Sequence, residues 1–155
     1  MVDLFFEVRK FGELTNIELY NLLKLRSKVF VQEQQCAYLD LDDKDQKSLH
    51  VIVYFQNHLV AYARILPPGI SYPDAVSIGR VIIEEAYRGK KWGYPLIDFC
   101  VKLSFKKFDC KKITISAQEH LKAYYEKCGF FPEGEMYLED NIPHLKMSLK
   151  KEEDV

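Results

Sequence analysis

Arg88, Gly89, Lys90, Lys91, Trp92 and Gly93 crowd three cations and two glycines into six consecutive residues. That mixture suits the holding of phosphate. The run follows "VSIGRVII", which reads as a strand, and precedes Leu96, Ile97, Cys100, Val101 and Phe105, which share a helical face. A helix N-terminus carries about four backbone N–H groups without intrahelical partners, at the positive end of the dipole. Gly89 lets the chain take positive φ or approach a ligand closely. Pro95 cannot donate, yet it costs little in a first helical turn, so the free donors fall between Gly89 and Tyr94. A pyrophosphate fits this arrangement, and so does a solvated basic turn that merely opens a helix. Neither G-x-x-x-x-G-K-[ST] nor G-x-G-x-x-G is present.

Other residues with chemical potential are scattered. Arg80 lies mid-strand in "IGRV", where burying an unpaired cation is costly. It therefore needs a carboxylate partner or an opening onto a cleft. Asp40, Asp42, Asp43 and Asp45 lack the glycine of a calcium loop, which predicts no metal and a solvated acidic loop; attraction of a cationic amine is a second use for it. Lys102, Lys106, Lys107, Lys111 and Lys112 read as a solvated basic face, without the aromatic pattern of an RNA-binding module.

Composition narrows the classes. The 155 residues suit one domain, with 1–150 folded and 151–155 a frayed tail. A net charge of −1 gives no long-range pull on nucleic acid. No run of about 18 apolar residues is present, so no membrane span is expected. Leu4–Phe6 are followed at once by Glu7, Arg9 and Lys10, unlike a secretory leader. Cys36, Cys100, Cys110 and Cys128 form no C-x-x-C pair. Reduced thiols in a cytoplasmic protein are the expectation.

The elements that position these residues follow from periodicity. Residues 4–9 read as a strand. Thr15 and Glu18 form a capping box, and Leu19, Leu22, Leu23, Val29 and Phe30 follow on one helical face. "QEQQCAYLDLDDKDQKS" reads as an irregular connection. "LHVIVYF" and "LVAYARIL" form a hairpin through Gln56, Asn57 and His58. Residues 75–83 form a further strand, with Gly79 marking a bulge or a close approach. "KKITISA" is a strand, 118–128 a helix ended by Gly129, and "FPEGEMYL" and "IPHLKMSL" the last strands, with Glu139, Asp140 and Asn141 between them. The order β-α-β-β-β-α-β-α-β-β is an α/β domain with a mixed, mostly antiparallel twisted sheet flanked by helices.

"VSIGRVIIEEAYRGKKWGYPLI" resembles the acetyl-coenzyme A motif of the GNAT N-acetyltransferase superfamily, [QR]-x-x-G-x-[GA] after a strand and an acidic turn. Arg88, Gly89, Lys90, Trp92 and Gly93 fit it; Lys91 stands where the family has glycine. "YYEKCGF" resembles the family's second mark, [LF]-Y-E-x-x-G-F. Together with "LRSKVFVQEQQCAYLDLDDKD", "ARILPPG", "IGRV" and "EDNIPHLKM", these segments resemble the ElaA-like branch over most of the chain.

The resemblance implies an acetyl-CoA-dependent enzyme that moves an acetyl group to a primary amine on a small molecule or peptide, by direct attack on the thioester. Its partners would include no nucleic acid and no membrane, and it leaves the oligomeric state open, a homodimer included. By the same analogy Val81, Ile82 and Ile83 hold the pantetheine arm through backbone groups, as an added strand would. An N–H near Val81 would receive the oxyanion, Arg88–Gly93 cradle the pyrophosphate, and Gln118 keeps an amide contact where the family has Asn. Leu121 replaces the family's alanine and crowds the coenzyme side. Lys91 is expected to keep helical angles and to offer its ammonium to phosphate. Tyr125 matches the general acid that protonates the departing thiolate; packing in the core, at helical spacing from Leu121 and Cys128, is the other reading. Glu33, His50 and His144 lie in segments typical of the branch and are acceptor-side candidates with Arg80, the general base among them. A second function on the same fold is an acyl-CoA-sensing or partner-binding module with little turnover, which Lys91 and Leu121 favour.

Overall fold

The computed structural model describes residues 2–152. Ten principal elements follow the expected order: β1 (Phe5–Lys10), α1 (Asn16–Arg26), β2 (Leu49–Phe55), β3 (His58–Leu66), β4 (Ser77–Ile83), α2 (Gly93–Lys107), β5 (Lys112–Gln118), α3 (Lys122–Lys127), β6 (Phe131–Glu139) and β7 (Ile142–Lys150). The strands make two antiparallel sheets, β1-β2-β3-β4 and β5-β7-β6, rather than one continuous sheet. The edge strands β4 and β5 touch at a parallel bridge between Val76 and Ile113, where the Thr114 N–H donates to the Val76 carbonyl at 2.8 Å. Beyond that point they separate, and the gap between them is the principal feature of the molecule.

Alternation along the strands fills two cores. Val51, Val53, Ala61, Ala63 and Ile65 face a cluster with Leu96 and Ile97 of α2 and Ile113 and Met147 of the second sheet. The intervening Ile52 and Tyr62, with Ile82, face Leu22, Leu25 and Val29 on the other side. Both faces of β2 and β3 are thus covered, which is why they read as near-continuous apolar runs. Each buried Val, Leu, Ile or Met side chain among them contributes about 1.5–3 kcal/mol.

Several local expectations need correction. The capping box at Thr15 and Glu18 forms in both directions, at 3.1 and 2.9 Å. The helix does not run on unchanged through Phe30, however; after Arg26 it relaxes into a π-helical stretch, Ser27–Glu33. Residues 118–128 are not one helix: Gln118 ends β5, Glu119–Leu121 form a 3₁₀ turn, and α3 follows. In the hairpins, left-handed φ falls on Gln56 and Asn57 in the β2–β3 turn and on Asp140 and Asn141 in the β6–β7 turn. Both hairpins are therefore two-residue turns of the kind that matches strand twist, with His58 and Glu139 inside strands. The bulge expected at Gly79 falls on its neighbour, since Arg80 carries φ +51° where the β3–β4 register slips between Tyr62 and Arg64. The expected frayed tail is tied at its start by the Lys151 N–H, 2.8 Å from the Lys111 carbonyl; Glu153–Val155 lie outside the described residues. All four cysteines are free thiols. No helix among the described residues is long and apolar enough to cross a membrane.

Candidate functional site

The diverging edges of β4 and β5 bound a cleft of about 1230 Å³. Its first wall is β4, paired with β3 on one side only beyond the bridge. Glu84 donates its N–H to Val60 of β3, so the two-residue alternation of strand hydrogen bonds turns the polar groups of Val81 and Ile83 toward the cleft. The Ile83 carbonyl accepts there from Arg88 Nε at 2.9 Å. Ile82 is phased the other way. Its backbone faces β3, and its side chain is 2 % exposed in the second core, which removes it from the set able to hold a ligand through main-chain groups.

Beyond β4 the chain winds through the basic turn. Gly89 takes φ +84° and Lys91 φ +63°, so Lys91 does not keep helical angles. The left-handed region penalises any side chain with a Cβ. Trp92 follows in the right-handed region, and that succession converges neighbouring N–H groups on one point, as in anion-binding nests. α2 begins at Gly93, adding its free N–H groups and dipole. A Cβ at Gly93 would collide with the Tyr124 hydroxyl, so a larger residue there would force that side chain to shift.

The side chains of the turn are arranged less simply than their charges suggest. Arg88 reaches across the cleft, its Nη2 2.7 Å from Glu33 Oε2. Lys90 does not line the cleft; its ammonium sits 6.0 Å over the Trp92 ring. Trp92 is buried against Phe55 and Tyr87, which leaves only its backbone available to a ligand.

The far wall is β5 with α3. Gln118 lines the cleft and donates from Nε2 to Gln34 Oε1 at 3.2 Å. Leu121 lines it too. Tyr125 borders the cleft while packing edge-on against Phe130 and Tyr124, so its two readings describe different parts of one ring. Burial, and then Cys128 beside it, push its phenol well above the ordinary tyrosine range, so at neutral pH it carries its proton. Tyr124 is shifted the same way, first by burial, and packs at a tilt against Tyr94, with ring centroids 4.9 Å apart, at the start of α2.

The other end of the cleft is lined by charge that the chain brings together from distant segments. The acidic loop is not solvated: Asp40 and Asp45 are buried. Asp45 accepts from Arg26 at 2.6 Å and Arg64 at 3.0 Å. Asp40 accepts from Arg26 at 2.9 Å, Arg80 at 2.7 Å and the Tyr38 hydroxyl at 3.0 Å, and Asp42 pairs with Arg64 through both oxygens. Burial alone would raise the Asp42 and Asp45 carboxyls. The Arg64 hydrogen bonds and charge outweigh it at Asp42, as Arg26 and Arg64 do at Asp45, and both sit below the usual carboxylate range. Arg80 thus has its carboxylate partner and also borders the cleft.

Of the acceptor-side candidates, His50 is misplaced. It is fully buried and does not border the cleft. Its ring spans the Tyr62 hydroxyl at 2.6 Å and the Asp45 carbonyl at 2.9 Å, and burial holds its pKa below the usual histidine value. Glu33, Arg80 and His144 do meet at the cleft. Sequence reasoning missed Arg26, Arg64, Ser116, Tyr137 and Glu139. An arginine at an apolar helical position one turn after Leu22, and another inside "AYARIL", were the available signals for the first two. Ser116, Tyr137 and Glu139 gave none.

Comparison with known proteins agrees with this geometry. The family model described as "Acetyltransferase (GNAT) domain" matches residues 21–151. Protein ElaA of Escherichia coli is 41% identical over 139 residues, covering 88% of this chain and 90% of that protein. Its crystal structure superposes with a TM-score of 0.88 at 37% identity, covering 96% of this chain and 100% of that one. An acyl-CoA N-acyltransferase from Pseudomonas aeruginosa gives a TM-score of 0.87 at 37% identity, over 95% of this chain and 99% of that one. A Bacillus subtilis acetyltransferase solved in complex with CoA shares the fold at 23% identity and a TM-score of 0.66, over 96% and 99% of the two chains.

Proposed function

The chain belongs to the GNAT acetyltransferase family, whose members are acyl-CoA-dependent N-acyltransferases, and we propose that it transfers an acetyl group from acetyl-CoA to a primary amine. The observation that carries this reading is the continuity of the open β4 edge with the wound turn at the start of α2. The two together offer main-chain groups for an amide-bearing arm and N–H groups for a pyrophosphate at its end.

In this reading the arm lies along Val81 and Ile83. Arg88 exchanges its contact with the Ile83 carbonyl for the phosphates, and Gly89–Gly93 receive the pyrophosphate. The thioester then lies between the bulge at Arg80 and Tyr125. A neutral amine attacks the carbonyl carbon, and an N–H near Val81 stabilises the oxyanion. As the C–S bond breaks, the thiolate takes the Tyr125 proton. The bulge suits this role, because the extra residue removes one main-chain group from the β3 ladder and leaves it for the cleft.

Two measurements test the proposal. Calorimetric titration of CoA should give binding that Gly89→Pro abolishes, since proline cannot take φ +84°. Acetyl-CoA turnover, followed by thiol release against small amines, polyamines and short peptides, should be faster than hydrolysis for at least one class. CoA affinity unchanged in Gly89→Pro would move the phosphate site elsewhere. Tight CoA binding without turnover on any amine would favour a sensing role.

A further inference from the structure

We infer that His144 and Glu139 together receive the acceptor's ammonium group, and that His144 removes the proton that frees the amine to attack. This rests on the transferase reading above and assigns its missing base. His144 is the third residue of β7, directly opposite Gln118 of β5 and Tyr137 of β6. The tight turn at Asp140 and Asn141 fixes that register, bringing Glu139, at the end of β6, beside the same ring.

The hydrogen bonding determines which nitrogen is basic. His144 Nδ1 lies 2.7 Å from the Ile142 carbonyl, which can only accept, so the proton of the neutral ring resides on Nδ1. Nε2 is then the bare nitrogen, and Glu139 Oε2 lies 3.3 Å from it. While the ring is neutral, two acceptors at that separation oppose each other unless a donor lies with them. An R–NH₃⁺ group meets the need with one N–H to each. A tertiary amine offers one N–H at most, and an alcohol brings no charge. Both residues line the cleft with Ser116 and Gln118. Tyr137 stacks on the imidazole at 6.1 Å and 25° and also contacts the Ser116 hydroxyl. Ser116 Oγ in turn lies 3.5 Å from Glu139 Oε1, so the carboxylate is steered from its far side. Tyr72 faces Tyr137 and Glu139, and the Cys36 thiol reaches the Asp140 carbonyl; Glu33, Asp42, Lys44, Arg80 and His120 are further titratable groups that line the same cleft.

The protons balance. R–NH₃⁺ passes one proton to His144 Nε2, and the imidazolium forms beside the Glu139 carboxylate. The Glu139 side chain is 53% exposed against 9% for His144, so it gives that proton a path to water. The neutral amine adds to the thioester carbon. The C–S bond breaks, sulfur takes the Tyr125 proton, and the second amine proton restores the phenol. The net products are the amide, CoA thiol and one proton released to solvent.

The test uses acetyl-CoA with putrescine, ethanolamine and a short peptide with a free N-terminus. His144→Gln should lower kcat/KM by about 10²–10⁴-fold and leave CoA affinity and melting temperature near wild type. Its residual rate should climb with pH up to the amine's own ionisation, more steeply than the wild-type rate does. Glu139→Gln should raise KM for the amine about tenfold or more, with a smaller effect on kcat. Nitrogen-15 NMR of the wild-type protein should place the neutral-ring proton of His144 on Nδ1. A proton on Nε2, or equal pH profiles for wild type and His144→Gln, overturns the assignment while leaving the transferase reading intact. Absence of turnover by the wild type on every amine overturns both.

Discussion

Lys91 is the position where this chain departs most from the glycine-rich turn of its family, and the backbone makes the consequence measurable. Its φ of +63° lies where an L-residue is disfavoured by about 1–2 kcal/mol. Replacement by glycine removes that penalty but adds freedom to the unfolded chain, at a cost of about 0.4–1 kcal/mol. The difference leaves Lys91→Gly more stable by about 0.5–1 kcal/mol. For a domain of this length that is a rise in Tm of roughly 1–4 °C. Lys91→Ala is the control, because it deletes the ammonium but keeps the Cβ and its strain; its Tm should stay near wild type. Circular dichroism melts of the three proteins separate the two effects. Equal Tm values for the glycine and alanine variants, or a glycine variant that melts below wild type, would refute the backbone argument. Charge is read separately: Lys91→Glu should weaken CoA binding about fivefold or more at low salt relative to Lys91→Gly, an effect that fades as salt screens it.

Three further outcomes follow from buried groups. Tyr125→Phe keeps the ring against Phe130 and Tyr124 but deletes the proton, so kcat should fall about 10²–10⁴-fold with CoA affinity little changed. Tyr124→Phe should be nearly silent in kcat, and the reverse pattern would assign the acid to Tyr124. Asp45→Asn deprives Arg26 and Arg64 of a shared carboxylate and should cost about 3–5 kcal/mol, read as a shift of the urea midpoint at constant m. The same network sets the response to acid. Asp42, Asp45 and His50 all have folded-state pKa values below their ordinary ones, so in each case the unfolded chain binds protons first as pH falls. The His50 contribution is present above about pH 6.5 and is lost below it. The aspartate contributions are present above about pH 4 and lost below that. Urea midpoints should therefore decline in two stages on acidification, and His50→Gln should lose the upper stage. A midpoint that rises between pH 7 and pH 5 would contradict the burial of a neutral His50.

Whatever local chemistry specifies was legible in the sequence. The strands alternate, the α1 cap is a local motif, and the turn announces itself by glycine and charge, so element order could be read from spacing, while the coenzyme reading of the turn came only from the resemblance to a family. The π-helical stretch, the placement of the bulge on Arg80 rather than Gly79, and the left-handed Lys91 were not legible, because each is a backbone state that tertiary packing imposes on a residue with no intrinsic preference for it. The acidic loop is the clearest case. Asp40, Asp42 and Asp45 form a run that in isolation favours water, and it goes inward because Arg26, Arg64 and Arg80 arrive from α1, β3 and β4. No window of sequence contains both halves of that network.

The two strand histidines mark the same boundary. His50 and His144 both sit among apolar neighbours, and both have a ring nitrogen against a backbone carbonyl. They differ in what covers them. β2 is an inner strand whose faces are closed by α1 on one side and α2 on the other, so the second nitrogen of His50 meets the Tyr62 hydroxyl and the ring is fully satisfied. β7 is also an inner strand, but near its start one face meets the gap left where β4 and β5 diverge. The second nitrogen of His144 therefore meets a half-exposed carboxylate and the cleft instead. The same side chain is enclosed by protein partners in one sheet and borders the cleft in the other, and the separation of two edge strands makes the difference.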